Sequence, residues 1–411
     1  MMTKAFLASL ALAVSLTAPA VAQTTVSFAY WGDPAELPPF EKVVADYQAA
    51  HPDVTIEVQH APWSGYFTKL DAQLAAGAGP DVFFITNVPT YAARNQLEDL
   101  GPWIAKTGFP IAEYNPNSLD IHSLGGKLYS IPRDNGTTAL YYNIDAFDAA
   151  GIAYPSDQWK WADLKDAAQK LTTMDGGRVT RYGLALESNE WVSFVRQNGG
   201  EVFDSPTAPT KFLLAEPRAV EAIQFIGDLI NVDKSVPNFI EANQAGGTAQ
   251  LFASGQAAMT IANSARLGAF TDVPFKWAVA PLPAGPDGTR ANILGGAGFA
   301  MNANSKNKDA AWDFLQYLAG PEGQIIFTAG DSAAVPAMTG NEKVRAAFTP
   351  KFAEVFLAET ENGHTFPQFP KFVDVSNLYL QPALDLVWNG EASAADALGG
   401  IKDQVDAELA K

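Results

Sequence analysis

Cysteine is missing from all 411 residues. No disulfide can therefore staple the fold, although the compartment argued for below would permit one. A lipid anchor of the bacterial lipoprotein kind needs a cysteine at its new N-terminus, so that anchor is excluded too. Histidine is scarce: His51, His60, His122 and His364 are scattered, and no H-E-x-x-H occurs, which argues against a zinc site. There is no G-x-S-x-G either, the motif of a serine hydrolase elbow. Gly77-Ala78-Gly79 begins a G-x-G but leads into a strand, whereas a dinucleotide loop opens a helix. Cations are in short supply, 27 Lys and Arg against 45 Asp and Glu, for a formal charge of −18. Nucleic acid needs a basic footprint, and anionic lipid would repel this surface, so neither is an expected partner. An acidic, well-solvated exterior is the plainer reading. No internal repeat or low-complexity segment is present, and nothing past residue 22 is long and apolar enough to span a bilayer.

The first 22 residues follow the three-part pattern of a secretory signal: Lys4, the apolar run AFLASLALAVSL, and Ala20-Val21-Ala22 as a cleavage site. The mature protein is expected to start at Gln23 and to be periplasmic without a lipid anchor. The whole chain is 47% hydrophobic, and the remainder is long enough to bury a large core unaided, divided into two or three domains.

Along that chain, TVSFAY (25–30) alternates as a strand, and Phe40, Val43, Val44 and Tyr47 recur at helical spacing behind Pro38-Pro39. VTIEV is a second strand, Tyr66 to Ala76 a second helix, and DVFFIT a strand covered on both faces. Strand–helix alternation of this kind predicts an α/β fold with a parallel sheet. Ligands of such sheets bind beyond the carboxyl ends of the strands. Those ends carry Trp31-Gly32-Asp33, His60 to Trp63, and Thr86-Asn87, so aromatic and polar groups collect on one rim.

IPRDNGTTALYYN (131–143) then brings Arg133, Asp134 and Asn135 to the mouth of an apolar strand. Beyond it, Trp161–Leu171, the segment from Trp191 to Gly199-Gly200, Ala219–Ile230 and 304–319 read as helices. RYGLAL, AAMTIA and KWAVAPLP read as strands, DSAAVPA as a loop, and Ser393 to Asp396 as the cap of a final helix. In ILGGAGFAM the glycines imply a close backbone approach.

The ordered segments GPDVFF, GGKLYSIPRDNGTTALYYNIDAFDAAGI, FASGQAAMTIA, WAVAPLPAGPDG and GGAGFAMNANSKNKDAAWDFLQYL resemble the family 1 extracellular solute-binding proteins. These are the carbohydrate-binding components of ABC importers, maltose-binding protein among them, and the resemblance spans the mature chain. It implies a two-lobed α/β periplasmic-binding fold of type II kind, with hinge crossings near Arg133 to Gly136, Gly295 to Gly298 and Ser332 to Pro336. Lobe one would be 23–133 plus 297–332, and lobe two 134–296 plus 333–411. A sugar would lie in the cleft, and a membrane permease would be the partner of a monomeric protein. No cofactor, metal or catalysis is implied.

A sugar asks for carboxylates, amides and guanidinium groups in plane and rings above or below. Carried over from the family, Asp33 would bind hydroxyls, the alternative being an Asx cap, and Trp31 would stack. Thr86 and Asn87 follow a strand where hydroxyl contacts are common. His60 and Trp63 lie nearby, whereas Tyr66 also suits the core face of its helix. Asp134, Asn135 and Thr137 would floor the cleft, with Arg133 neutralising Asp134. From lobe two come Glu187, Asn189 and Trp191, then Asn263, Ser264 and Arg266. The last stands where many relatives carry tryptophan, which favours a small or anionic sugar derivative. Gly295 and Gly296 would offer N–H groups, and Phe366 a lid ring.

Two alternatives stand beside this reading. A secreted glycosidase needs two carboxylates about 5–9.5 Å apart across one bond, and nothing among the acidic residues singles out a pair. A non-sugar solute is the other: a polyamine suits Asp33, Asp134 and Glu187, an amino acid would need the same clamshell, and iron would favour clustered tyrosines. Tyr141 and Tyr142, adjacent in a strand, point oppositely.

Overall fold

The computed structural model describes residues 23–32, 34, 36–329 and 334–411. The signal segment 1–22, Asp33 and residues 330–333, which include the start of the third crossing, lie outside the described residues.

The strands that matter for the site are Thr24–Trp31 (β1), Val54–Ala61 (β2), Val82–Ile85 (β3), Ser130–Pro132 (β4), Asp134–Asn135 (β5) and Thr138–Asn143 (β6). Thr173–Asp175 (β7), Arg178–Ala185 (β8), Ala257–Asn263 (β9) and Trp277–Ala280 (β10) follow. Asn292–Leu294 (β11), Gly298–Met301 (β12) and Val335–Pro336 (β13) complete the set. They form two five-stranded sheets, ordered β2-β1-β3-β12-β4 and β10-β6-β9-β8-β7. Each sheet heads one lobe with its own core.

The helices form where the apolar spacing is three and four. Leu37–Ala50 opens with proline in its first turn and buries Phe40, Val43, Val44 and Tyr47. Trp161–Leu171 buries Trp161, Leu164, Ala167, Ala168 and Leu171 on the second lobe. The single final helix expected after Ser393 is two, Ala394–Gly399 and Lys402–Leu409, because Gly399-Gly400 breaks the run. Ser393 caps the first of them, accepting from the Asp396 N–H at 3.2 Å. Both anchor in the second core through Leu398 and Val405. Ala337, Met338 and Val344, expected with lobe two, pack instead in the first core, because the chain leaves the third crossing on that side.

The segment ILGGAGFAM separates into β11, which pairs with Gly363–Thr365, and β12, which lies in the first sheet. Its glycines therefore occupy a crossing between lobes. Gly136 donates its N–H to the Gly295 carbonyl at 2.9 Å, and β5 pairs with β13 through Asp134↔Pro336 and Asn135↔Val335. Three lengths of chain run side by side here. Gly296 has φ 141°, and a Cβ on it would lie 2.3 Å from the Asp134 carbonyl oxygen, so only glycine fits.

Strand register decides where the ligand rims fall. Gly298 pairs with both Ile85 and Pro132, so the carboxyl end of β3 lies where the chain leaves the first sheet. Thr138 pairs with Asn263, so the carboxyl end of β9 lies where the chain enters the second. β1 is parallel to β2 and β3, and β8 is parallel to β9. The carboxyl ends of these parallel strands thus gather at one crossing, from both lobes.

Candidate functional site

On the first lobe the rim is aromatic. Trp31 closes β1 and is 9% exposed, stacked on Phe84 with ring centroids 4.0 Å apart. Trp63 opens the helix Trp63–Ala75, meets Trp31 edge to face at 5.2 Å, and is 55% exposed. An exposed indole braced by a buried one is a rigid apolar platform. Tyr66 belongs to the core: its hydroxyl donates to the carbonyls of Phe84 at 2.7 Å and Ala29 at 3.1 Å. His60 is exposed on the edge strand, and its Nε2 donates to the Gly32 carbonyl at 2.8 Å. That bond holds the loop leading to Asp33, itself outside the described residues.

Thr86 and Asn87 follow β3, both half-buried. Asn87 is left-handed (φ 53°, ψ 42°), a conformation asparagine tolerates better than most residues. It turns the chain into the helix Val88–Ala93. Its Oδ1 accepts from the Thr90 hydroxyl at 3.1 Å, while its Nδ2 makes no hydrogen bond among the described residues. An unused amide donor at a rim is what a hydroxyl ligand requires.

The crossing residues divide by role. Arg133 forms an ion pair with Asp134 and lies 4.5 Å over the Phe84 ring, which ties the hinge to the first aromatic core. The other carboxylate oxygen of Asp134 accepts from the Ala297 N–H at 2.9 Å. Asn135 and Thr137 are corrections to the expected site. Asn135 is 2% exposed, with Oδ1 accepting from Ser118 and Nδ2 donating to the Pro336 carbonyl, so it is a hinge strut. Thr137 is buried against Phe356. Gly295 and Gly296 are half-buried in the crossing, and the Gly295 N–H is directed at the Gly136 carbonyl.

The second rim is charged. Glu187 and Asn189 follow β8, and Arg266 follows β9 in a short 3-10 turn, Ser264–Arg266. Glu187, Ser188, Asn189, Asn243, Thr248 and Arg266 line one pocket of about 500 Å³ with Phe239 on its wall. Trp191 is not among them; it is 7% exposed in the second core, because the helix Trp191–Gln197 turns it inward. Ser264 is buried as well. Asn263 sits beneath the turn, its carbonyl accepting from the Tyr141 hydroxyl at 2.9 Å and its buried Oδ1 unpartnered among the described residues. Phe366 packs half-buried, edge to face with Phe372 at 5.5 Å, and is a wall residue more than a lid.

Sequence reading missed Glu190. Between Asn189 and Trp191, it is 1% exposed, with Ser193 and Thr138 hydroxyls at 3.3 and 3.5 Å from its Oε2. Thr138 also donates its one hydrogen to Asn292 Oδ1 at 2.9 Å, so a protonated Glu190 suits the longer contact. Burial, with the Glu187 charge adding to it, pushes the Glu190 carboxyl up to about 8. Asn292 donates in turn to Glu359 at 2.8 Å, another buried carboxyl raised by burial. This chain links β6, β11 and two helices under the second rim. No spacing signal announces it, since its members are far apart in sequence.

Among the described residues, no group of three or more His, Asp or Glu is placed to hold a metal, and no helix is long and apolar enough to cross a membrane.

The family model of the bacterial extracellular solute-binding proteins matches residues 31–325. A binding protein of Brucella abortus (strain 2308) is 25% identical over 98% of this chain and 97% of its own. An arabinooligosaccharide-binding protein of Bacillus subtilis (strain 168) is 27% identical over 69% of this chain and 66% of its own. Among solved structures, an ABC substrate-binding protein from Listeria monocytogenes in complex with cycloalternan superposes with a TM-score of 0.80 at 25% identity, covering 94% of this chain and 99% of that one.

Proposed function

We propose, from the premise that this chain belongs to the bacterial extracellular solute-binding protein family, that it captures a carbohydrate between its lobes and hands it to an ABC importer permease. What supports this is that strand ends of both lobes fall at one crossing, with an exposed indole and an amide with an unused donor following those of the first lobe, and a guanidinium, a carboxylate and amides following those of the second. An indole face matches the C–H face of a sugar ring, and the polar rim matches its hydroxyls. Oligosaccharide ligands in the names of the Bacillus and Listeria relatives support the same class.

The working motion is hinge closure. Ligand bound to one lobe recruits the other, and it shifts the balance only by the contacts added on closing. Lobe one is taken as 23–133 with 297–332 and lobe two as 134–296 with 333–411, the stretch Ala337 to Val344 leaning back on the first. The solute leaves unchanged, and the protein works as a monomer outside the cytoplasm after losing 1–22.

A thermal-shift and calorimetric screen of the chain from Gln23 tests this, using neutral mono- and oligosaccharides, polyols, acidic sugars, polyamines and amino acids. At a hundredfold excess over Kd a true ligand adds about 2.7 kcal/mol of stability. A saccharide recovered intact from the complex is expected. Stabilisation by polyamines or amino acids alone would overturn the carbohydrate assignment, and conversion of the saccharide would overturn the transport role.

A further inference from the structure

Arg266 invites the reading that the solute is an anion, but the structure sets a carboxylate beside it. The Arg266 Nη2 lies 4.0 Å from Glu187 Oε1, close enough to pair electrostatically and too far for a hydrogen bond. Both side chains keep solvent access, 48% and 33%. Among the described residues they are the only charged ones lining the pocket of about 500 Å³; its other polar groups are the neutral Ser188, Asn189, Asn243 and Thr248. Glu190, behind the rim, holds its proton near neutral pH, so it adds no charge.

For a ligand anion placed in this gap, attraction to Arg266 and repulsion from Glu187 act over similar distances and offset each other. Desolvation of the anion is then uncompensated. A hydroxyl fares differently: its oxygen accepts from the guanidinium while its hydrogen goes to the carboxylate. Two adjacent hydroxyls fill the gap and satisfy both partners, which currently make no hydrogen bond to each other. We propose that this pocket takes the vicinal diol of an uncharged saccharide or sugar alcohol, and that Glu187 is the residue that turns acidic sugars away. This deepens, and rests on, the carbohydrate reading above.

Calorimetry of the chain from Gln23 with D-glucose, D-galactose and maltose, each beside its acid (D-glucuronate, D-galacturonate and maltobionate), tests it. In the wild type, a neutral member binds at least tenfold tighter than its acid. In Glu187→Gln the preference narrows by tenfold or more, since Arg266 then attracts the acid unopposed. Arg266→Gln, a second variant at the exposed end of the pair, weakens the neutral sugar and leaves the acid excluded. Unfolding midpoints of both variants confirm that each is folded. An acid bound as tightly as its neutral partner by the wild type, or a preference unmoved in Glu187→Gln, overturns the inference and leaves the carbohydrate reading standing. Failure of every neutral and acidic member to bind, together with stabilisation by polyamines or amino acids alone in the wider screen, overturns both.

Discussion

Trp63 is a large apolar side chain left in solvent at 55% exposure, while the indole beside it, Trp31, is nearly covered. Surface positions of this kind contribute within about 0.5 kcal/mol of stability. Trp63→Ala is therefore expected to keep its unfolding midpoint in denaturant and to lose at least tenfold in saccharide affinity, about 1.4 kcal/mol. Unchanged affinity by calorimetry would remove Trp63 from the site. Asn87 needs a subtler change, because alanine would strain a backbone at φ 53°. Asn87→Gly keeps the left-handed turn and deletes the whole side-chain amide, including the Oδ1 that accepts from Thr90, so weaker binding with stability preserved reports the amide and not the backbone. Glu190 has a prediction of another kind. Its carboxyl titrates at about 8 in the fold against an ordinary 4.5. Between those values the folded state holds a proton that the unfolded chain has released, so stability falls as pH rises through that window. Glu190→Gln, which mimics the protonated form, should flatten this dependence in a pH series of melting curves. An identical slope in the variant would show that the proton is held elsewhere.

At the scale of elements, the crossing is the part least tolerant of change. Gly296 combines φ 141° with a carbonyl oxygen 2.3 Å from where a Cβ would stand. Gly296→Ala must displace the Asp134 backbone, and with it the β5–β13 and Gly136–Gly295 pairings. A loss of more than about 1 kcal/mol in denaturant unfolding is expected; a neutral substitution would mean the crossing bends freely. Most elements were legible beforehand, since helices such as Trp161–Leu171 and strands such as β1 declare themselves by period. The break at Gly399-Gly400 was not, because glycine inside a helical pattern is often tolerated. Trp191 was misplaced for a related reason: a residue just past a strand can face the rim or open a helix, and here the helix turns it into the core.

At the scale of the whole molecule, each five-stranded sheet has a large core of its own, so closure that swings one lobe against the other is the motion most compatible with intact packing. Small-angle scattering should show a smaller radius of gyration on adding a saturating saccharide, with no change in mass. A bound protein with unaltered scattering would rule out closure as the response to ligand.

The sequence by itself determined which segments alternate and which recur every three or four residues, and therefore an α/β chain with polar residues at strand ends. The lack of cysteine and the short supply of cations were equally legible, because these are counts that folding cannot alter. Tertiary structure alone decided which polar residues are available. Asn135 and Thr137 look in sequence like Thr86 and Asn87, yet the crossing uses the first pair as struts and leaves the second pair at the rim. It alone set Glu187 4.0 Å from Arg266 across a long stretch of chain, and buried Glu190 beside them. Distances between residues remote in sequence, and the burial of polar groups beside them, are set by how strands register and lobes meet, and the apolar period carries no record of either.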